Sequence, residues 1–268
     1  MILNMDKVCV SFRKERQKNL FGRDRQLVLN NVSLKINQGE SLALVGESGS
    51  GKSTLGRVVS GLLKPNSGSV SMDGIDIYAF RSNANTALRN RISIVFQDYT
   101  TSVNPRFRIG DIIGESLRVL ARSGRAEKGT CQSQINDLLD QVGLPAGYAA
   151  RFPHELSGGQ LQRVCIARAV AVKPELIVLD EAISSLDAST QTQVMDLLLD
   201  LRRQHGFSYF FITHDLTAVT YMCDRVIFFN NGEIVEAVDD IDYLPYVRNE
   251  YACRLLDSVI QISFDDAC

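Results

Sequence analysis

The sequence predicts an α/β fold, with a largely parallel sheet covered by helices and interrupted by a helical block. Three observations predict it. Strand-like apolar runs alternate with helical patterns on both sides of a middle segment. Two of those runs, 41–45 and 176–179, are almost continuously apolar, as strands covered on both faces are. The first leads straight into a glycine-rich loop and then a helical pattern, the strand–loop–helix setting of a phosphate-binding turn.

Taken in order, Val8-Cys9-Val10-Ser11-Phe12 reads as a strand. Segment 13–25, with Lys14, Arg16, Lys18 and Arg23, reads as a solvated basic insertion. Residues 32–36 alternate apolar and polar, like a half-exposed strand. Asn37-Gln38-Gly39-Glu40 is a turn before the apolar strand 41–45. Residues 52–63 are helical in pattern and stop at the turn cluster Lys64-Pro65-Asn66-Ser67-Gly68. Val70-Ser71-Met72 followed by Asp73-Gly74 suggests a small antiparallel element, and 92–97 another strand. From 98 to 155 strand signals fade. Stretches 112–120 and 134–142 look helical, separated by the polar run 122–130. The sheet pattern resumes at 176–179 and 209–213. Residues 226–229, Asn230-Asn231-Gly232 and 233–236 then spell a hairpin, because Asn-Gly accepts the positive φ values of a tight turn.

The chain has 268 residues, 45% of them apolar, enough for one large domain or a domain with a subdomain. A net charge of −2 argues against binding nucleic acid through global electrostatics. No apolar run approaches the roughly 18–20 residues that cross a bilayer. The start, Met1-Ile2-Leu3-Asn4-Met5-Asp6-Lys7, lacks the layout of a signal peptide, so a cytosolic protein able to dock on a membrane protein is expected. The cysteines, at 9, 131, 165, 223, 253 and 268, form no CxxC pair and read as thiols in a reducing compartment.

Gly46-Glu47-Ser48-Gly49-Ser50-Gly51-Lys52-Ser53-Thr54 fits G-x-x-x-x-G-K-[ST]. The glycines let successive backbone N–H groups turn around phosphate oxygens, and the helix start adds partial positive charge. Lys52 is expected to reach the β- and γ-phosphates and the Ser53 hydroxyl to hold Mg²⁺. Asp180 and Glu181 follow the apolar strand 176–179, at an edge that faces nucleotides in such sheets. Asp180 suits a contact to Mg²⁺ through water; Glu181 can polarise an attacking water, the step on which phosphoryl transfer to water turns. Gln97 ends the strand 92–96 and is a candidate contact to Mg²⁺ or that water; His214, after 209–213, is a candidate γ-phosphate contact. Ser157-Gly158-Gly159-Gln160 opens a helix over 161–172 that Pro174 ends, a second anion-binding helix start. Leu161, Val164, Ala167 and Ala169 are expected to face inward, and Gln162, Arg163 and Arg168 outward. Two such sites in one chain suggest that the second serves a nucleotide on another subunit.

With these motifs in hand, the sequence resembles the ATP-binding subunits of ABC transporters over about residues 6–240. Leu156-Ser157-Gly158-Gly159-Gln160-Leu161-Gln162-Arg163 looks like the family signature, Ser184-Ser185-Leu186-Asp187 like its D-loop, and Gln97 and His214 like its Q-loop and switch histidine. Phe96-Gln97-Asp98-Tyr99, Ser102-Val103-Asn104-Pro105-Arg106, Arg151-Phe152-Pro153-His154-Glu155-Leu156 and Tyr251-Ala252-Cys253-Arg254-Leu255-Leu256 resemble the dipeptide/oligopeptide/nickel importers. Glu181-Ala182-Ile183-Ser184-Ser185-Leu186-Asp187 looks most like the second ATPase of bacterial nickel importers. The resemblance implies a P-loop NTPase (RecA-like) core with a β-subdomain over about 1–97 and 156–240. It also implies a helical subdomain over about 98–155 and a short tail over about 241–268. It further implies ATP and Mg²⁺ as ligands and ATP hydrolysis as the activity. Phe12 stands where the family stacks an aromatic on adenine. Ser157, Gly158, Gly159 and Gln160 would act in trans on a partner's nucleotide. The implied partners are a second ATPase, two transmembrane permeases and, indirectly, an external solute-binding protein, at the cytoplasmic face of the membrane. Nucleic acid is not an expected partner. The tail lacks the cysteine spacing that some relatives use for an iron–sulfur cluster, and none is expected. Two other readings stay open: an ATPase of a soluble complex such as phosphonate-cleavage machinery, and a nucleic-acid-associated ABC protein. The latter usually joins two cassettes.

Overall fold

The structure is a computed structural model that describes residues 1–13, 25–79, 88, 90–122 and 131–265. The basic segment at 14–24, most of the polar run at 123–130 and Cys268 lie outside the described residues. The chain forms two compact units, Met1–Phe80 with Phe210–Cys268, and Arg81–Tyr209.

In the first unit, β1 (Leu3–Arg13), β2 (Arg25–Ile36), β4 (Ser67–Met72) and β5 (Ile75–Asp76) make an antiparallel sheet in the order β2-β1-β4-β5. The alternation read over 32–36 is the burial pattern of β2, with Val32, Leu34 and Ile36 buried and Ser33 and Lys35 exposed. A second sheet carries β10 (Glu233–Val238), β9 (Arg225–Asn230), β3 (Ser41–Val45) and β8 (Ser208–Thr213) in that order. β3 runs parallel to β9, and β9 turns back into β10 at Asn231 and Gly232, whose φ values are +48° and +82°. The predicted tight turn is therefore formed. α1 (Lys52–Val59) stops earlier than the pattern to 63 suggested, because Gly61 takes a left-handed φ of +77°. α6 (Leu216–Met222) and α7 (Glu250–Asp265) complete this unit, with a 3₁₀ turn over Ile241–Tyr246.

The second unit contains the parallel pair β6 (Ile92–Val95) and β7 (Leu176–Asp180). Between them run α2 (Ile109–Arg122), α3 (Cys131–Gln141), two 3₁₀ turns and α4 (Gly158–Val170); α5 (Ala188–His205) follows β7. β7 is buried at every residue. Among the described residues no helix is long and apolar enough to cross a membrane.

The outward placing of Gln162 is corrected by the structure. The side chain is fully buried, and its Nε2 donates to the Ala182 carbonyl at 2.6 Å. The apolar periodicity of α4 marks one covered face, but the loop after β7 covers the polar side as well; a backbone acceptor there meets the amide nitrogen, while Gln162 Oε1 has no partner among the described residues.

One ion-pair network fixes β9 to its neighbours. Arg225 Nη1 lies 2.7 Å from Glu40 Oε1 and Nη2 lies 2.7 Å from Asp239 Oδ1, with the Glu40 side chain only 7% exposed. Ser41 N donates to Asp224 Oδ2 at 2.8 Å beside it. Arg225→Ala takes the counter-charge from a buried carboxylate and leaves it the Asn37 donors alone, which is expected to cost about 3 kcal/mol of unfolding free energy. The check is a urea midpoint that falls while the slope stays constant.

Candidate functional site

In the first unit, β3 delivers the phosphate loop from the core, since all five of its residues are buried. Gly51 has φ +106°, and a Cβ on it would lie 2.9 Å from the Val28 carbonyl oxygen, so conformation and space both demand glycine. The loop enters α1 without a side-chain cap, at the positive end of the helix. Lys52 is 4% exposed, and its Nζ donates to the carbonyls of Gly46 and Glu47 at 2.7 Å each. Ser50 Oγ is buried and has no hydrogen-bond partner among the described residues. A buried cation, an orphaned hydroxyl and an uncapped helix start together fit a phosphate chain. Glu47, Ser48 and Gly49 are exposed at the rim, with Ser53 and Thr54 half-buried in the first turn of α1.

The other predicted residues of this unit are Phe12 and His214. Phe12, near the end of β1 and opposite Gln26, is 43% exposed. His214 is exposed directly after β8. The next residue, Asp215, caps α6 by accepting from Thr217 N at 2.8 Å and Ala218 N at 3.3 Å.

In the second unit the register of β6 on β7 sets Val95 opposite Leu179. Gln97 and Glu181 each lie two residues beyond that pair, so they leave the sheet side by side. Gln97 Nε2 donates to Glu181 Oε2 at 2.9 Å. Asp180 ends β7 and is buried at 6% exposure. Glu181 has φ +48°, a left-handed conformation that costs a non-glycine residue on the order of 1–3 kcal/mol. Beyond Gln97, Asp98 accepts from the Thr100 hydroxyl at 2.6 Å and from the amides of Thr100 and Thr101 at 2.9 and 3.1 Å. These bonds, the Thr100 hydroxyl first, hold its carboxyl down at about 2, so the turn carries a fixed negative charge at any working pH.

The second glycine motif forms as the sequence suggested. Ser157 caps α4 by accepting from Gln160 N at 3.3 Å, and Gln160 Oε1 accepts from Ser157 N at 3.0 Å. Its two glycines sit where a side chain would crowd a neighbour. A Cβ on Gly158 would lie 2.5 Å from Tyr99 Oη, and one on Gly159 would lie 2.4 Å from Thr190 Cγ2. Thr190 is itself fixed by Asp187, the N-cap of α5, which accepts from Thr190 N at 3.0 Å and Thr190 Oγ1 at 2.7 Å. Those bonds, the hydroxyl's first, hold the Asp187 carboxyl below its ordinary range. Further along α4, Arg168 donates to the Ser102 carbonyl and Cys165 Sγ lies 3.4 Å from Ser102 Oγ. The start of α4 is thus seated between the loop after Gln97 and the first turn of α5. Sequence reasoning passed over Tyr99 and Thr190 in this seat. The spacing Asp187-x-x-Thr190 is an N-cap signal that points to the second.

The Gly159 contact has a direct consequence. Gly159→Ala pushes a methyl into Thr190 Cγ2 and is expected to cost about 1–3 kcal/mol of stability. Thr190→Ser deletes only that methyl and keeps the hydroxyl bonded to Asp187, so the double variant recovers most of the loss. Thermal unfolding of the two singles and the double tests this; a Gly159→Ala protein as stable as the parent rules out the tight seat.

Comparison with known proteins agrees with this geometry. The chain matches the family described as ABC transporter over residues 29–184, more than half its length. It is 46% identical over 232 residues to a "Putative peptide import ATP-binding protein" of Brucella abortus (strain 2308), covering 86% of this chain and 69% of that protein. It is 47% identical over 222 residues to the nickel import ATP-binding protein of Rhodospirillum rubrum, covering 82% and 79%. It is 40% identical over 260 residues to the metal-staphylopine import system ATP-binding protein of Staphylococcus aureus (strain Mu50), covering 97% and 100%. Among solved structures, it resembles a dimeric ATP-binding cassette in a post-hydrolysis state bound to ADP and Pi. The TM-score is 0.75 at 28% identity, covering 88% of this chain and 98% of that one. With the phosphate loop, the acid pair and the Ser-Gly-Gly helix start all formed on a P-loop ATPase fold, the chain belongs to the ABC transporter family.

Proposed function

We propose that this chain is the ATP-binding and ATP-hydrolysing subunit of an importer for nickel, another chelated metal or short peptides. It works at the cytoplasmic face of the membrane as a peripheral subunit. A second ATPase subunit, of the same or a different chain, and two transmembrane permeases complete the machine, supplied by an external solute-binding protein. What carries this reading is the likeness, across nearly the whole chain, to ATP-binding proteins of import systems. That likeness favours import over a soluble complex such as phosphonate-cleavage machinery.

In this reading Lys52 exchanges the Gly46 and Glu47 carbonyls for β- and γ-phosphate oxygens, and the Ser50 hydroxyl gains the partner it lacks. The backbone N–H groups from Gly49 to Thr54 donate to the phosphates, and Phe12 stacks on the adenine. The Ser53 hydroxyl, Gln97 and, through water, Asp180 would hold a Mg²⁺ ion, which would supply positive charge to the phosphates. Gln97 commits its Nε2 to Glu181, so its carboxamide oxygen is the end that can meet the ion. Glu181, oriented by that bond, accepts a proton of the attacking water and aims it in line; His214 contacts the γ-phosphate. Ser157, Gly158, Gly159 and Gln160 serve the partner's nucleotide, with Asp187 at the joint between the two ATPases. The helical segment at about 98–155 passes closure and reopening to the permeases.

Glu181→Gln keeps the hydrogen-bonding shape and removes the base. Turnover is expected to fall by about 10²–10⁴ while ATP still binds and closed dimers accumulate. Near-parental hydrolysis by this variant would overturn the base assignment. Affinity capture of the tagged chain from its own membranes is expected to bring two hydrophobic permeases with it. Recovery of a soluble assembly without them defeats the import reading.

A further inference from the structure

A hydrogen bond reaches the phosphate loop from far along the chain. Tyr251, on the first turn of α7, is 7% exposed, and its hydroxyl oxygen accepts from Glu47 N at 2.9 Å. Both residues belong to the first compact unit, and Tyr251 lies outside the stretch that matches the family. The phenol is held in place by its own chain. Glu236 on β10 accepts from Arg248 N and Asn249 N at 2.9 Å each, and Asn249 Oδ1 accepts from Tyr251 N at 2.9 Å. The next residue, Ala252, is fully buried. A short series of hydrogen bonds therefore runs from the last strand of the sheet to the second residue of the phosphate loop.

The position of this bond matters because Lys52 holds the same peptide segment from the other side, through the carbonyls of Gly46 and Glu47. Those two bonds belong to an ammonium whose expected task is to turn toward phosphate. The Tyr251 bond uses an amide and does not involve the ammonium, so it persists when Lys52 leaves. Burial pushes the Tyr251 phenol above its ordinary range, with the Glu47 charge adding to this, so the hydroxyl stays neutral at physiological pH.

We propose that Tyr251 is a positioning residue for ATP. Its hydroxyl keeps the Gly46–Glu47 segment in the phosphate-ready shape while Lys52 changes partners, which makes the C-terminal helix a setter of nucleotide affinity. This inference rests on the nucleotide-site reading above. Its hydroxyl is bonded to the phosphate loop, so it acts on binding and leaves the chemical step alone.

The test uses the full-length chain. Tyr251→Phe removes one oxygen and leaves the packed ring. ATP titration and steady-state hydrolysis are measured beside the unfolding midpoint of the nucleotide-free protein. The Kd and KM for ATP are expected to rise about fivefold, with kcat within about twofold and the nucleotide-free midpoint lowered by no more than the loss of one hydrogen bond. Asn249→Ala, which loosens the turn bearing the phenol, is expected to raise Kd in the same direction by less. Unchanged Kd and KM in Tyr251→Phe overturn the proposal, as does a fall in kcat that tracks a lower unfolding midpoint. Lys52→Ala separates the two levels of the argument. If it binds ATP as tightly as the parent, the nucleotide site itself has been misassigned and the role of Tyr251 falls with it.

Discussion

A buried ammonium must find acceptors, and the hold of Lys52 on the carbonyls of Gly46 and Glu47 is the interaction on which the rest of the first unit is arranged. Leaving such a charge unmet costs several kcal/mol, so loop and lysine stabilise one another before any ligand arrives. The surroundings follow from that need. β3 is buried along its length and launches the loop from a rigid base; Gly51 bends it through a conformation closed to other residues; α1 starts without a side-chain cap, so its amides point toward the place an anion would take. Ser50 adds a buried hydroxyl without a partner among the described residues, a cost that a bound phosphate would offset.

The second unit solves a different problem by strand register. Two carboxylates and an amide have to leave a sheet in a fixed relation. The parallel pairing of Val95 with Leu179 brings Gln97 and Glu181 out together, while Asp180, still on the strand, stays buried. A slip by one residue would turn the strand's faces over and separate the two side chains. Glu181 also carries a left-handed φ, strain that persists only where neighbours over-determine it. The bond from Gln97 is one of those neighbours, and the Ser184 amide and hydroxyl donating to the Glu181 carbonyl are others.

Much of this was legible in the sequence, for identifiable reasons. The unbroken apolar run at 176–179, the alternation over 32–36 and the Asn-Gly turn are local signals, and each became the predicted element. Ser157 followed three residues later by Gln160 is a capping box that needs no tertiary information. Other features depend on parts of the chain too distant to read. Gln162 looks like a surface residue on a helical wheel, and only the Ala182 carbonyl of a later loop makes its burial possible. The length of α1 was overestimated because Gly61 does not announce its left-handed φ. Tyr251 stands in a tail motif that resembles the importers, but nothing local in that motif points to Glu47, some two hundred positions earlier, as its hydrogen-bond donor.

The two glycine-opened helix starts are unequal, and the inequality bears on assembly. The start of α1 has a buried lysine within reach and no side-chain cap. The start of α4 has its own serine and glutamine closing a capping box and no lysine or arginine from Leu156 to Gln160; Arg163, the nearest cation along the helix, is spent on the Val142 carbonyl at 2.9 Å. A helix terminus alone contributes on the order of 0.3–1 kcal/mol toward an anion, too little to hold a triphosphate against water. The box takes the amides of Ser157 and Gln160 and does not use those of Gly158 and Gly159. Such a motif suits a nucleotide already held by a lysine elsewhere, adding direction where the phosphate loop adds affinity. That division of labour supports the proposal that α4 serves a nucleotide held by a second copy of the architecture.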